Sequence, residues 1–220
     1  MIITEAQRLR RHLYRLVLDG QEGAEEQTEV EVDVGTFDTS PYRVGGEITE
    51  AQLTALLERS QYDRAHDKAL YLLGTRDYAC RELEKKLAAE APPEVAAAVV
   101  ARLREVGLLD DENYARRAAN SLSEYRGYSR HRVEQELLRR GVSRETAQEA
   151  AAGVEREDFQ QALALIEKKY YNKMNDRDDR QKVIAALARR GFTYGAIRQA
   201  MAAFGVAAQS DSEENETEWQ

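Results

Sequence analysis

The sequence predicts a mainly α protein: tandem three-helix repeats in an elongated, curved array, with a small N-terminal β-hairpin or sheet extension and a disordered acidic tail. Three observations carry that prediction. Charged residues make up 33% of the 220 and prolines number only 3, a mixture that favours exposed helices over a turn-rich sandwich. From about His66 to Gly205 the apolar residues recur at helical spacing. The pattern also repeats, since the i, i+4 pairs Leu83 with Leu87, Val133 with Leu137 and Val183 with Leu187 lie 50 residues apart.

Residues 1–47 form the β extension. LYRLVLDG and TEVEVDVGTF cluster or alternate β-formers between glycine-containing breaks, as half-buried strands do. In the second, Val30, Val32 and Val34 face one way and Glu29, Glu31 and Asp33 the other, giving an antiparallel sheet of two or three strands that ends near Gly45-Gly46. A linking helix follows over 48–65, with Thr49 as its N-cap and Leu53, Leu56 and Leu57 on one face.

The three repeats span 66–109, 110–154 and 155–207. Their first helices carry Ala69, Leu70 and Leu73; Tyr114, Ala118, Leu122 and Tyr125; and Phe159, Leu163, Ile166 and Tyr170 on inward faces. Each second helix holds one of the i, i+4 pairs. A break comes next: Pro92-Pro93, then Gly141, then Gly191, the two glycines suiting a left-handed C-terminal cap. Ser143 and Thr193 cap the third helices, whose stripes are Val95, Val99, Leu103 and Val106; Ala147, Ala150, Ala151 and Val154; and Ile197, Met201 and Phe204. The longer connection YYNKMNDRDDR shifts the third repeat's first helix off the period. Units this small bury little surface alone, so neighbours lean on one another while polar junctions let the array bend. Residues 208–220, the acidic tail, lack a hydrophobic face and are expected to be disordered.

Composition excludes several functions. The single Cys80 forbids an intramolecular disulfide and points to a reducing, cytoplasmic home. His12, His66 and His131 stand far apart without metal-ligand spacing, and there is no phosphate-binding GxxxxGK[ST] or dinucleotide GxGxxG loop. No apolar run approaches the roughly 20 residues that cross a bilayer. No enzyme activity, cofactor, metal or membrane partner is therefore expected. Net charge is -8, yet unevenly spread: residues 1–65 carry 13 acids and 7 bases, the tail from Ser210 five acids and no base, and residues 66–209 the remaining 22 acids against 25 bases.

Three consecutive carboxylates in GLLDDENYARR (107–117) invite a metal or acid-base reading. The capping rules fit them better. Asp110 serves as N-cap, Asp111 and Glu112 occupy the first turn where the helix dipole favours negative charge, and Leu109 with Tyr114 makes a hydrophobic staple.

Basic residues recur at matching places around the second helices. They are Arg81, Lys85 and Lys86; Arg130, Arg132, Arg139 and Arg140; and Arg180, Lys182, Arg189 and Arg190. Along a repeat array they would form a stripe for nucleic-acid phosphates, with Tyr128, Tyr170, Tyr171 and Tyr194 near enough to stack on bases. Solvation of exposed helix faces explains any one of these residues as well, but the recurring set less well.

ALYLLGTRDYACRELEKKL, GLLDDENYARR and GYSRHRVEQELLRRGV, in that order, resemble the RecX family, bacterial regulators of the RecA recombinase. The matching positions are Ala69, Leu70, Arg76, Glu82, Leu83, Gly107 to Asp111, Tyr114, Ala115, Gly127, Ser129, Arg130, Glu136, Leu137, Gly141 and Val142. Ile3-Thr4 and Leu18-Asp19-Gly20 look like the β extension of some members, whereas Pro92-Pro93 and the acidic tail depart from the pattern. The resemblance implies a monomeric, non-enzymatic regulator of recombination and DNA repair, within the SOS response. Such a protein binds in the groove of the RecA filament on single-stranded DNA, with double-stranded DNA as a second ligand, and lowers ATPase and strand exchange. A helix-turn-helix transcription regulator is the competing reading, since three-helix units also occur there, and a purely protein-binding scaffold is a third.

Overall fold

The computed structural model describes residues 1–10, 12–19, 27–174 and 176–205, with the side chain of Arg10 excepted. Gly20 of the Leu-Asp-Gly turn and the acidic tail lie outside the described residues. The chain divides into two compact units, the first over 1–109 and the second beginning at Asp110.

The first unit opens with three antiparallel strands in the order β1 (Ile2–Arg10), β2 (Leu13–Asp19) and β3 (Thr28–Asp33). Ile3 pairs with Leu18 and Leu16 with Val30, so alternate residues enter one core face. Ile3, Leu16, Leu18 and Val32 close there on Phe37, Ile48, Leu53 and Leu56. Val34 does not continue the strand: Val34–Thr39 form a short helix, α1. Asp33 causes the switch, because its Oδ1 accepts the Thr36 amide at 3.0 Å while its own amide donates to the buried Ser60 hydroxyl at 2.7 Å.

Ser60 lies on α2 (Glu50–Thr75), one helix of 26 residues that fuses the expected linking helix with the first helix of the first repeat. It starts at a reciprocal cap, in which the Gln52 amide donates to Thr49 Oγ1 at 3.3 Å and the Thr49 amide donates to Gln52 Oε1 at 2.9 Å. No glycine or proline interrupts it before Gly74. Leu53 and Leu56 face the sheet; Ala65 and Ala69 face α3 (Cys80–Leu87) and α4 (Pro93–Glu105), where Leu83, Leu87, Val99, Leu103 and Leu109 complete a second core. Pro93 sits in the first turn of α4, where its missing N–H costs nothing. Leu70 and Val106, expected inward, are exposed.

The second unit holds two repeats. In one, α5 (Asp111–Ser121) runs into a π-helical turn over Leu122–Arg126 and is followed by α6 (Arg130–Arg139) and α7 (Arg144–Ala152). In the other, α8 (Asp158–Leu165) runs into a π-helical turn over Ile166–Tyr170, then come α9 (Arg177–Arg189) and α10 (Tyr194–Ala203). Val133, Leu137, Val183 and Leu187 are buried, as Leu83 and Leu87 are in the first unit, so the 50-residue period is the period of the cores. Gly141 and Gly191 have φ of 89° and 88°, and Ser143 and Thr193 cap α7 and α10.

Tyr125 corrects the inward stripe of α5. The α-helical period places it with Tyr114, Ala118 and Leu122, but the π turn inserts a residue and shifts the phase. Ser123 is buried in consequence and Tyr125 is 78% exposed.

Candidate nucleic-acid interface

On α3, Arg81, Lys85 and Lys86 all face solvent. Arg81 and Lys85 lie one turn apart, and no ion pair or side-chain hydrogen bond engages either among the described residues. Lys86 differs, its ammonium 6.0 Å from the Tyr78 ring centre, which Arg76 approaches to 3.7 Å. Arg76 in turn donates to Glu82 at 2.6 Å.

In the second unit the candidates separate into those the protein itself holds and those turned outward. Arg140 is half-buried, donating through Nε to Glu136 Oε1 at 3.1 Å and through Nη1 to the Tyr114 hydroxyl at 3.3 Å, so it ties α6 to α5. Arg139 chelates the same carboxylate at 2.7 and 3.0 Å. The Arg139 guanidinium, followed by that of Arg140, holds the Glu136 carboxyl down at about 2 despite the opposing effect of burial. Lys182 pairs with Asp179 at 2.8 Å on exposed α9, and Arg180 is half-buried. Arg190 donates to the Ala186 carbonyl at 3.1 Å and lies 6.0 Å from the Tyr170 ring centre. Tyr170 is half-buried, while Tyr171 is exposed and packs edge-on against Phe204.

Arg130 belongs to the inner set. Its Nη2 donates to the Val154 carbonyl at 2.7 Å, its Nη1 to Glu157 at 3.2 Å, and its backbone amide to Asp158 Oδ1 at 2.9 Å. It therefore joins the two repeats of this unit. Around it Gln161 donates to the Ser123 carbonyl, and the fully buried Ser129 donates its amide to the Arg190 carbonyl at 3.1 Å. A Cβ at Gly127 would stand 2.7 Å from Leu165, and one at Gly191 would stand 2.6 Å from Ser129 Oγ and 2.7 Å from Arg132 Cβ. The junction between these two repeats is close-packed and hydrogen-bonded. Asp158, Gln161 and Ser123 carry no local signal of it, for their partners lie 28 and 38 residues away along the chain.

This junction sets the start of α6 beside the end of α9. Arg132 and the Arg189-Arg190-Gly191 segment, from different repeats, become neighbours. Arg132 is exposed, with its guanidinium 5.6 Å from the Tyr128 ring centre, and Arg189 is exposed two residues before Gly191. Along α6, Arg132, Gln135 and Arg139 border a shallow groove of about 370 Å³. Two cations and an aromatic at a repeat junction can bind phosphates and stack a base.

Asp110 caps α5, its Oδ1 accepting the Asn113 amide at 2.9 Å. Leu109 is buried in the first unit's core and Tyr114 in the second unit. No group of three or more His, Cys, Asp and Glu side chains is placed to hold a metal among the described residues, and no described helix is long and apolar enough to cross a membrane.

Family models of the first, second and third three-helix domains of RecX match residues 65–103, 110–150 and 155–201. The chain is 28% identical over 160 residues to a Regulatory protein RecX of Clostridioides difficile, covering 71% of this chain and 76% of that one. It is 35% identical over 138 residues to that of Chromohalobacter salexigens, covering 62% and 90%. Two solved structures share the fold. One, a crystal structure of regulatory protein RecX, aligns with a TM-score of 0.63 at 20% identity over 92% of this chain and all of its own. The other, RecX from Lactobacillus salivarius, has a TM-score of 0.58 at 18% identity over 67% and 98%.

Proposed function

The chain belongs to the RecX family of regulatory proteins, and from that premise we propose that it regulates homologous recombination and DNA repair by binding in the groove of the RecA filament on single-stranded DNA. It acts without chemistry of its own, as a cytoplasmic monomer, and lowers ATP hydrolysis and strand exchange. The observation that carries the DNA contact is the junction in the second unit, where Arg132 of one repeat lies against Gly191 of the other, two residues beyond the exposed Arg189. Phosphates repeat along a strand, and cations at adjoining positions can neutralise successive ones. Arg81 and Lys85 add a further exposed pair in the first unit, and contacts made by several modules of one chain gain avidity.

A major-groove reader is less well supported. The third helix of the first repeat in the second unit, the counterpart of a recognition helix, carries Glu145 and Glu149 on its exposed surface, and these would face phosphates.

Stoichiometric protein added to RecA filaments on single-stranded DNA is expected to lower ATP hydrolysis and shorten the filaments. Unchanged hydrolysis and length across a range of salt would refute the reading. Arg132→Ser with Arg189→Ser is expected to weaken binding to single strands and to reduce the salt slope by roughly one to two, with helicity unchanged.

A further inference from the structure

We propose that the cleft beside Tyr125 receives an unstacked base of a single strand, a contact separate from the phosphate-binding arginines. This rests on the DNA-binding reading above and adds to it a site and a ligand. The cleft measures about 410 Å³, large enough for a base with part of its sugar, and is built by both repeats of the second unit. Tyr125 comes from the π turn after α5, Arg156 from the connection between α7 and α8, and Lys168 from the π turn after α8.

Three features point to a ligand. The α-helical period would bury Tyr125, and only the π turn puts the ring outside; such turns disrupt regular helical bonding and recur at functional sites. The wall is polar, with Asn120, Ser123 and Gln161 where a receptor for an aliphatic anchor would be apolar. Gln161 is only 5% exposed, its amide nitrogen is committed to the Ser123 carbonyl, and its Oε1 has a long 3.5 Å contact from Arg156, which leaves acceptor capacity on that oxygen. These are the groups that read the edge of a base stacked on an aromatic ring.

The charges sharpen the choice of base. Glu124 and Glu155 line the cleft opposite in sign to Arg156 and Lys168, so it is no simple phosphate trap. Carboxylates accept from exocyclic amino groups, as they do from cytosine N4, and thymine has none to offer. The cleft should therefore favour cytosine over thymine, whereas phosphate contacts at Arg132 and Arg189 are indifferent to sequence.

Anisotropy titrations of the full chain with labelled oligo-dC and oligo-dT test this. Wild type is expected to favour oligo-dC; Tyr125→Ala should weaken oligo-dC binding by about tenfold, Tyr125→Phe should retain it, and Glu124→Gln with Glu155→Gln should abolish the preference. Circular dichroism checks that each variant is folded. If Tyr125→Ala binds oligo-dC like wild type while Arg132→Ser still weakens binding, the cleft proposal is overturned and the DNA-binding reading survives. Wild type that binds neither oligonucleotide at any salt would overturn that reading itself. Tyr125→Ala that loses regulation of RecA with oligonucleotide affinity unchanged would assign the cleft to a protein partner and overturn the proposal.

Discussion

Glu136 accepts from Arg139 and Arg140 at once, and it holds the basic end of α6 in place. Its carboxyl is held at about 2 in the folded protein, while an unfolded chain takes up the proton in the ordinary carboxylate range. As pH falls, the unfolded state therefore binds the proton first. The stabilisation is fully present above the ordinary range and is lost as pH falls through the folded value. Glu136→Gln is expected to cost about 1–3 kcal/mol at pH 7, and urea unfolding at falling pH should show that gap closing between about pH 4.5 and 2. An equal gap at both ends of that range would refute the linkage. Gly191 makes a second residue-scale case. Alanine there has to adopt φ of 88° and would press on Ser129 and Arg132, whereas alanine at Gly107, with φ of 74°, meets nothing within 4 Å. Gly107→Ala should cost about 1–2 kcal/mol from the backbone alone, and Gly191→Ala measurably more in the same denaturation assay.

At the scale of elements, α6 uses neighbouring arginines for different ends. The Arg130 side chain donates to the Val154 carbonyl at the end of its own repeat and to Glu157 in the next, so Arg130→Ser should lower the unfolding free energy by about 1–3 kcal/mol and loosen the junction. Arg132→Ser, on the exposed surface two residues on, should leave stability nearly unchanged and weaken binding to single strands. Equal stability of the two variants in urea titrations would return Arg130 to the outer set. Their likeness in sequence explains what could be read from it. The pairs Leu83 with Leu87, Val133 with Leu137 and Val183 with Leu187 were legible because an i, i+4 apolar pair is local, and so were the caps at Thr49, Ser143 and Thr193. Strand β1 was not, because Thr4, Gln7 and Arg8 interrupt its apolar alternation and its partner strand supplies the order. The segment after Asp33 reads as β-formers, yet the Asp33 cap and its bond to Ser60 on α2 override that propensity. Tyr125 was misplaced for a third reason: a π turn changes the phase of a helix without any residue type that announces it. The division of the arginines into inner and outer sets needed acceptors such as Val154 and Glu157, remote in sequence and reached only through the fold.

For the whole molecule, the net charge of -8 conceals a division that follows the two units. Residues 1–109 carry 14 bases and 20 acids, residues 110–209 carry 18 bases and 15 acids, and the tail from Ser210 adds five acids and no base. The second unit, which holds the Arg132 and Arg189 junction, is therefore net positive until its own tail is counted, when it becomes net negative. The five tail acids are expected to oppose a strand approaching that junction by long-range repulsion through solvent, where salt screens over about 10 Å at 0.1 M and about 3 Å at 1 M. Replacing Asp211, Glu213, Glu214, Glu216 and Glu218 by their amides raises the net charge by five, to -3. Binding to a short single strand is expected to tighten several-fold at low salt, and the two proteins should converge as salt approaches 1 M. The difference belongs to long-range charge, since no phosphate contact is added, so the variant should also associate faster while dissociation changes little. A gain that persists undiminished at 1 M salt would mean the tail contacts the binding surface directly, and no gain at low salt would mean its charge does not reach the strand.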